Sequence, residues 1–310
     1  MTDSSMTATV RSSLRALAVV PAVLLSGCDL LVLHPAGEIA RQQGHLILVS
    51  TVLMLLIVVP VLALTLLFAW RYRASNTRAT YTPDWDHSTA LELLIWSAPL
   101  LIIIALGAMT WISTHTLDPY RPVAAGKPSR LARCADPVRA SEETLVVEVV
   151  ALDWKWLFIY PDQGVASVNE LAAPVNVPIH FKITSSSVMN SFFIPALAGQ
   201  IYAMPGMQTE LNAVINNIGT YDGFSANYSG AGFSGMRFKF YGMSRSEFDD
   251  WVTSNRKQGS TLTDLDYRRL AKPSEREPVH HYASVADGLY ASILKQCLGD
   301  TPSCSGAPTP

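Results

Sequence analysis

Three uncharged apolar runs crowd the first third of the chain, and their lengths separate them. Arg11 and Arg15 lead into Ala16–Leu25, a short apolar core followed by Ser26-Gly27-Cys28. Basic residues, a brief apolar stretch and then small residues form the layout of a secretory signal. The stretch is shorter than the ~20 residues a membrane helix needs. The second run, Leu46 to Trp70, has only Ser50, Thr51 and Thr65 as polar residues. At ~1.5 Å rise per residue it crosses a ~30 Å hydrocarbon layer with room for tilt, and Pro60 is predicted to kink it. The third run, Leu93 to Ile112, is also uncharged, with Trp96 and Trp111 near its ends as interfacial anchors. Arg71, Arg73 and Arg78 lie between the two long runs and favour the cytoplasmic side for that loop. Residues 28–44, and everything after His115, then lie outside.

Beyond the membrane runs the period changes. Thr144–Leu152 is rich in β-branched residues, and Pro178–Thr184 alternates with period two. Further short strands are predicted at Gln208–Ile215, Gly219–Tyr228 and Met236–Tyr241, punctuated by Gly, Pro and Asn. Many short strands separated by turns point to a Greek-key sandwich or barrel. Ser244-Arg245-Ser246-Glu247 is a capping box opening a helix toward Trp251. More helices are expected near Thr263–Ala271 and Ala286–Lys295. The expected organisation is a signal peptide at 1–27 and a membrane hairpin at 28–115, with spans at about 46–70 and 93–112. A proline-bearing linker follows at 116–143, then a β domain at 144–243, a helical extension at 244–298 and a disordered tail at 299–310.

Composition narrows the function classes. The chain has 310 residues, 49% hydrophobic and 15% charged, so disorder is excluded as an overall description. With 23 basic and 25 acidic residues, net charge −2, it has no surplus for nucleic acid. Four cysteines are too few for a disulfide-built fold. Leu25-Ser26-Gly27-Cys28 resembles the lipobox of bacterial lipoproteins, which implies acylation at Cys28. Asp29 resembles the signal that retains such lipoproteins in the inner membrane. Cys134, Cys297 and Cys304 are the other cysteines, and their pairing is not determined by sequence.

Asp153-Trp154-Lys155-Trp156 and Ser187–Pro195 resemble subunit II of the haem–copper respiratory oxidases, and the resemblance runs from Cys28 to about Leu270. It implies two transmembrane helices followed by an all-β, cupredoxin-like Greek-key domain with short C-terminal helices. In members that oxidise cytochrome c the domain holds a two-copper centre. Its ligands are a His before a Ser-Phe pair and a Cys-x-x-x-Cys-x-x-x-His-x-x-Met motif, with a Glu backbone between the two Cys. Here the leading His position is Asn190 and the Cys positions are Ser225 and Ser229. The Glu position is Asn227 and the His position is Phe233, so only Met236 remains. Copper of this kind needs soft thiolates and imidazoles, which these residues do not supply. Met236 alone has a role as core filler.

Other metal donors are sparse. His180 sits in an alternating strand, and His280-His281 follows Pro278 in an expected loop, so no metal is expected in this chain. A frame without its ligands resembles the quinol-oxidising branch, the cytochrome bo-type ubiquinol oxidases. Gly219–Gly223, Tyr228–Met236 and the lipobox are similar to that branch. It implies a non-redox subunit of a proton-pumping quinol oxidase in the bacterial inner membrane. Subunit I would carry the haems and CuB, ubiquinol would be the substrate, and subunits III and IV and membrane lipid would be further partners. Neither cytochrome c nor nucleic acid is an expected partner. Trp154 and Trp156 take packing roles in this reading. Glu92, at the cytoplasmic end of the second span, matches the Glu that the family places at the mouth of a proton path. The alternative is an interfacial carboxylate that positions the helix. A stand-alone lipoprotein with a cupredoxin-like binding domain is the competing reading of the whole chain.

Overall fold

The computed structural model describes residues 34–80, 82, 84–123 and 144–296. Two long helices come first, α1 (Glu38–Arg71) and α2 (Thr89–Thr116), touching as a hairpin. Both are long and apolar enough to cross a membrane. Their apolar side chains point outward, with Leu66 and Trp96 among the most exposed residues. In water such faces would be costly; a lipid layer or partner helices cover them at no such cost. Both helices outrun the apolar runs that announce them. The added first turns of α1 hold Glu38, Arg41, Gln42 and Gln43, and bury Ala40 and Gly44 near the outer domain. Hydropathy cannot show that extension, because tertiary contact rather than lipid fixes it. Cys28, and with it the signal segment 1–27, lies outside the described residues, as do Cys134, Cys297, Cys304 and most of the linker.

The outer domain is a sandwich of two sheets. Its strands are β1 (Leu145–Leu152), β2 (Lys155–Tyr160), β3 (Val165–Val168), β4 (Glu170–Pro174), β5 (Pro178–Ser185) and β6 (Asn190–Phe193). They continue as β7 (Ile201–Ala203), β8 (Thr209–Val214), β9 (Gly219–Ser225) and β10 (Arg237–Met243). The C-terminal part adds α3 (Arg245–Gln258), β11 (Ser260–Leu262), α4 (Asp264–Leu270), β12 (His280–Val285) and α5 (Leu289–Leu294). One sheet runs β11-β12-β3-β2-β1-β5-β8 and the other β4-β10-β9-β6-β7. This is a cupredoxin-like fold with short C-terminal helices, as the sequence predicts.

Two features differ from the sequence reading. The segment 244–298 is not only helical, because β11 and β12 join the first sheet, with β12 antiparallel to β3. His280 and His281 are therefore strand residues and not loop residues. Three to six residues between helices carry too short an alternation to register as strands.

Between the sheets lies an aromatic core. Trp156 meets Phe192 at 5.3 Å and Phe238 at 5.9 Å, while Phe192 stacks on Phe238 at 5.5 Å. A second cluster lies on the outer face of the first sheet, where Val150, Leu157 and Ile159 bury against Tyr267, Leu289, Tyr290 and Ile293. The C-terminal segment thus covers a sheet face that would otherwise be wet.

The membrane hairpin is tied to this sandwich at its base. The Ala36 and Gly37 N–H groups donate to the Ala196 carbonyl, each at 2.9 Å, and Asn216 N–H donates to the Ala36 carbonyl at 2.9 Å. A Cβ on Gly37 would stand 2.6 Å from the Leu197 carbonyl oxygen and 2.8 Å from that of Val214, so only glycine fits there. On the far side of the hairpin, Asn212 N–H donates to the Pro119 carbonyl at 3.0 Å. Entry into α1 and exit from α2 are both pinned to the β8 region.

Candidate functional site

The start of β6, the end of β9 and the turn before β10 bring together the positions that the sequence aligns with copper ligands. Asn190 and Ser225 are both buried, and the Ser225 hydroxyl donates to Asn190 Oδ1 at 3.1 Å. Asn190 Nδ2 donates to the Val188 carbonyl at 3.1 Å, and Ser225 N–H donates to the Met236 carbonyl at 3.2 Å. Asn227 Nδ2 reaches the Met189 and Tyr228 carbonyls at 3.4 and 3.2 Å. Met236 is buried in the main core, as expected of a filler. Phe233 lies edge-on to Tyr228 at 5.7 Å, and Tyr228 itself is 75% exposed.

The Asn190 amide and the Ser225 hydroxyl satisfy one another, as buried polar groups usually do, whereas the buried Ser229 hydroxyl has no partner among the described residues. They form a hydrogen-bonded knot, and its donor set is hard oxygen and nitrogen with one thioether. Such a set does not fit a soft copper centre. Among the described residues no group of three or more His, Cys, Asp or Glu is placed to hold a metal ion.

Trp154 and Trp156 take different places. Trp156 is fully buried in the core. Trp154 lies at the β1–β2 turn and donates its indole N–H to the Ser229 carbonyl at 3.0 Å. Its ring leaves no room for a Cβ on Gly230 or Gly232, which would stand 2.9 and 2.5 Å from ring atoms. Trp154 is thus the lid on the loop that carries Ser229 and Phe233, a role that its neighbour in sequence does not share.

Lys155 is a polar residue that sequence reasoning missed. It is 1% exposed, and its ammonium donates to the Lys272 carbonyl at 2.9 Å and to Ser274 Oγ at 2.5 Å. Glu277 Oε2 stands 3.9 Å away and also accepts from Ser274 Oγ. Burial pushes the Lys155 pKa down, while Glu277 and Asp153 oppose that shift. The Glu277 pKa is lowered by the hydrogen bond from Ser274 and further by His280 and Lys155, against some burial. His281 and Trp251 converge on one acceptor, with Nε2 and Nε1 at 2.9 and 2.8 Å from Glu170 Oε1. His180 is a satisfied strand residue, its Nδ1 2.8 Å from Asn212 Oδ1.

Glu92 stands in the first turn of α2, about half exposed, with its Oε1 2.7 Å from His87 Nδ1. Thr89 Oγ1 lies 3.2 Å from the other ring nitrogen of His87. A carboxylate, an imidazole and a hydroxyl are therefore linked at the loop end of the hairpin. Sequence reading named the carboxylate alone, although the five-residue spacing across the start of the helix was visible.

A hairpin of membrane-length helices carrying a cupredoxin-like domain with short C-terminal helices defines the class. Residues 163–240 match the family model for the cytochrome c oxidase subunit II periplasmic domain, and residues 256–300 match that of the COX aromatic rich motif. Cytochrome bo(3) ubiquinol oxidase subunit 2 of Pseudomonas putida is 50% identical over 277 residues, covering 89% of this chain and 83% of that protein. Ubiquinol oxidase subunit 2 of Acetobacter aceti is 50% identical over 273 residues, covering 88% and 84%. Quinol oxidase subunit 2 of a Bacillus cereus strain is 35% identical over 254 residues, covering 81% and 82%. The solved periplasmic domain of cytochrome oxidase subunit II from Bradyrhizobium japonicum aligns at 26% identity and a TM-score of 0.35, covering 37% of this chain and 94% of that one. The chain belongs to the ubiquinol oxidase subunit 2 family.

Proposed function

We propose that this chain is the second subunit of a proton-pumping ubiquinol oxidase, a complex that oxidises ubiquinol and reduces oxygen to water, and that it carries no redox centre itself. The observation that carries the reading is the Ser225–Asn190 hydrogen bond. It fills with hard, mutually satisfied groups the place where an electron relay from a soluble cytochrome would need thiolate and imidazole. A quinol delivers its electrons from within the bilayer, so an outer relay is unnecessary.

In this reading the apolar faces of α1 and α2 dock on subunit I, which carries the haems and CuB, with subunits III and IV completing the assembly. The complex lies in the inner membrane with the cupredoxin-like domain on the periplasmic side. Cys28 carries lipid. Acyl chains add ~0.8 kcal/mol of membrane affinity per buried CH₂, which matters little for anchoring beside two spanning helices. Copurification tests the assembly. A tagged chain extracted in mild detergent is expected to bring haem-bearing subunits and quinol oxidase activity with it. Isolation of the chain alone would favour the stand-alone lipoprotein instead.

Glu92 is the proposed mouth of a proton path into subunit I, and its 2.7 Å contact with His87 supplies a second titratable group beside it. An ionisable residue at the rim of a membrane helix is a functional candidate. Glu92→Gln in the intact complex is expected to slow turnover and proton uptake severalfold while leaving assembly unchanged. Unaltered turnover together with unaltered proton uptake would leave Glu92 as a helix-positioning carboxylate only.

A further inference from the structure

Four consecutive residues leading from the β1–β2 turn into β2 connect the C-terminal segment to the loop after β9. The Asp153 carbonyl accepts from Ser274 N–H at 3.0 Å, in the C-terminal segment. Trp154 bonds the Ser229 carbonyl and covers Gly230 and Gly232, in the loop after β9. Lys155 returns to the C-terminal segment through Lys272 and Ser274. Trp156 N–H donates to Asn169 Oδ1 at 2.9 Å, and Asn169 Nδ2 in turn holds the Glu277 carbonyl at 2.8 Å. The segment also touches the loop directly, since a Cβ on Gly235 would stand 3.1 Å from Arg276 Cγ.

We propose that residues 272–280 form a latch that, through Asp153 and Lys155, clamps Trp154 over the loop 228–235 and so fixes that loop without a metal ion. In this scheme Lys155 is a positioning residue that acts through Trp154. The proposal does not depend on the identity of the electron donor. A bound metal would tie the loop to β6 and β9 directly; here side-chain hydrogen bonds and one indole ring do so.

Charge pairing offsets the cost of seating the latch over Lys155. Lys155 brings a positive charge into a buried position, and the charged groups that face it are Glu277 from the segment and Asp153 from its own turn. Asp153 Oδ1 already accepts from Ser187 Oγ at 2.5 Å. Glu277, with His280 Nε2 3.0 Å from its other oxygen, is the remaining carboxylate. If the segment left, the ammonium would lose its two oxygen acceptors and its main countercharge together. The seated segment covers the ammonium and must therefore supply its countercharge, because an unpaired buried charge is far more costly than a paired one.

The test uses the full chain in its complex and reads amide hydrogen exchange. Peptides covering 228–235 and 272–280 report on the loop and the segment, and β5 serves as internal reference. Glu277→Gln is expected to speed exchange about tenfold in both regions while β5 is unchanged, as for a local opening unit. Lys155→Met should speed the loop as well and shift Trp154 emission. Combining it with Glu277→Gln should return segment exchange toward the parent value, because no lone charge is left buried. Should Glu277→Gln fail to accumulate, Lys155→Met alone decides through the same two peptides and the emission shift. Faster exchange at 272–280 with an unchanged loop would overturn the proposal, as would no change in either region.

Discussion

Asn190→His, Ser225→Cys, Asn227→Glu, Ser229→Cys and Phe233→His, introduced together, are expected to give the chain a two-copper centre. The frame is already in place. Asn190 and Ser225 are within hydrogen-bond distance at 3.1 Å, and the Met236 backbone is bonded to Ser225 at 3.2 Å. Met236 itself is retained. Trp154 and the glycines with no room for a Cβ, which also shape the loop, are left in place by the exchange. What is missing is donor chemistry, since thiolate and imidazole suit copper where hydroxyl, amide and phenyl do not. Metal analysis and visible absorption of the purified variant check this. A variant that folds yet takes up no copper would mean that the loop no longer follows the path of a ligand loop.

Trp156→Ala is expected to cost about 3–5 kcal/mol, the usual range for removing a large buried aromatic. For a domain of this size that lowers the Tm by roughly 6–20 °C. Trp156 is fully buried and lies edge-on to both Phe192 and Phe238, so the void would open at the junction of the two sheets. Its indole N–H has no partner among the described residues. Trp156→Phe should therefore cost clearly less than Trp156→Ala, since it keeps ring contacts and removes an unsatisfied buried donor. Thermal unfolding of both variants checks the order. Equal losses would mean that the indole is satisfied by a group such as a buried water.

The membrane hairpin was legible because a lipid solvent demands long apolar runs, and two were present. The sandwich was legible where strands alternate, as at β5, or are rich in β-branched residues, as at β1. β11 and β12 were not, because their pairing is set by contact with β3 rather than by their own pattern. The substitutions at Asn190, Ser225, Ser229 and Phe233 could be read by aligning the frame, but that Asn190 and Ser225 bond each other required coordinates. Lys155 was hidden for a physical reason. A lysine in a strand is ordinarily exposed, and its burial depends on partners more than a hundred residues away in sequence. Likewise Trp154 and Trp156 read as one pair, since residues two apart share a strand face, but Trp154 lies in the turn ahead of β2 and only Trp156 is fully buried in the core.

Electron-donor choice by the copurified complex tests the central claim most directly. Oxygen uptake should be driven by ubiquinol and not by reduced cytochrome c, with no two-copper absorption from the outer domain. Rapid oxidation of cytochrome c, accompanied by that absorption, would contradict the reading of Asn190, Ser225, Ser229 and Phe233 as a frame without a relay.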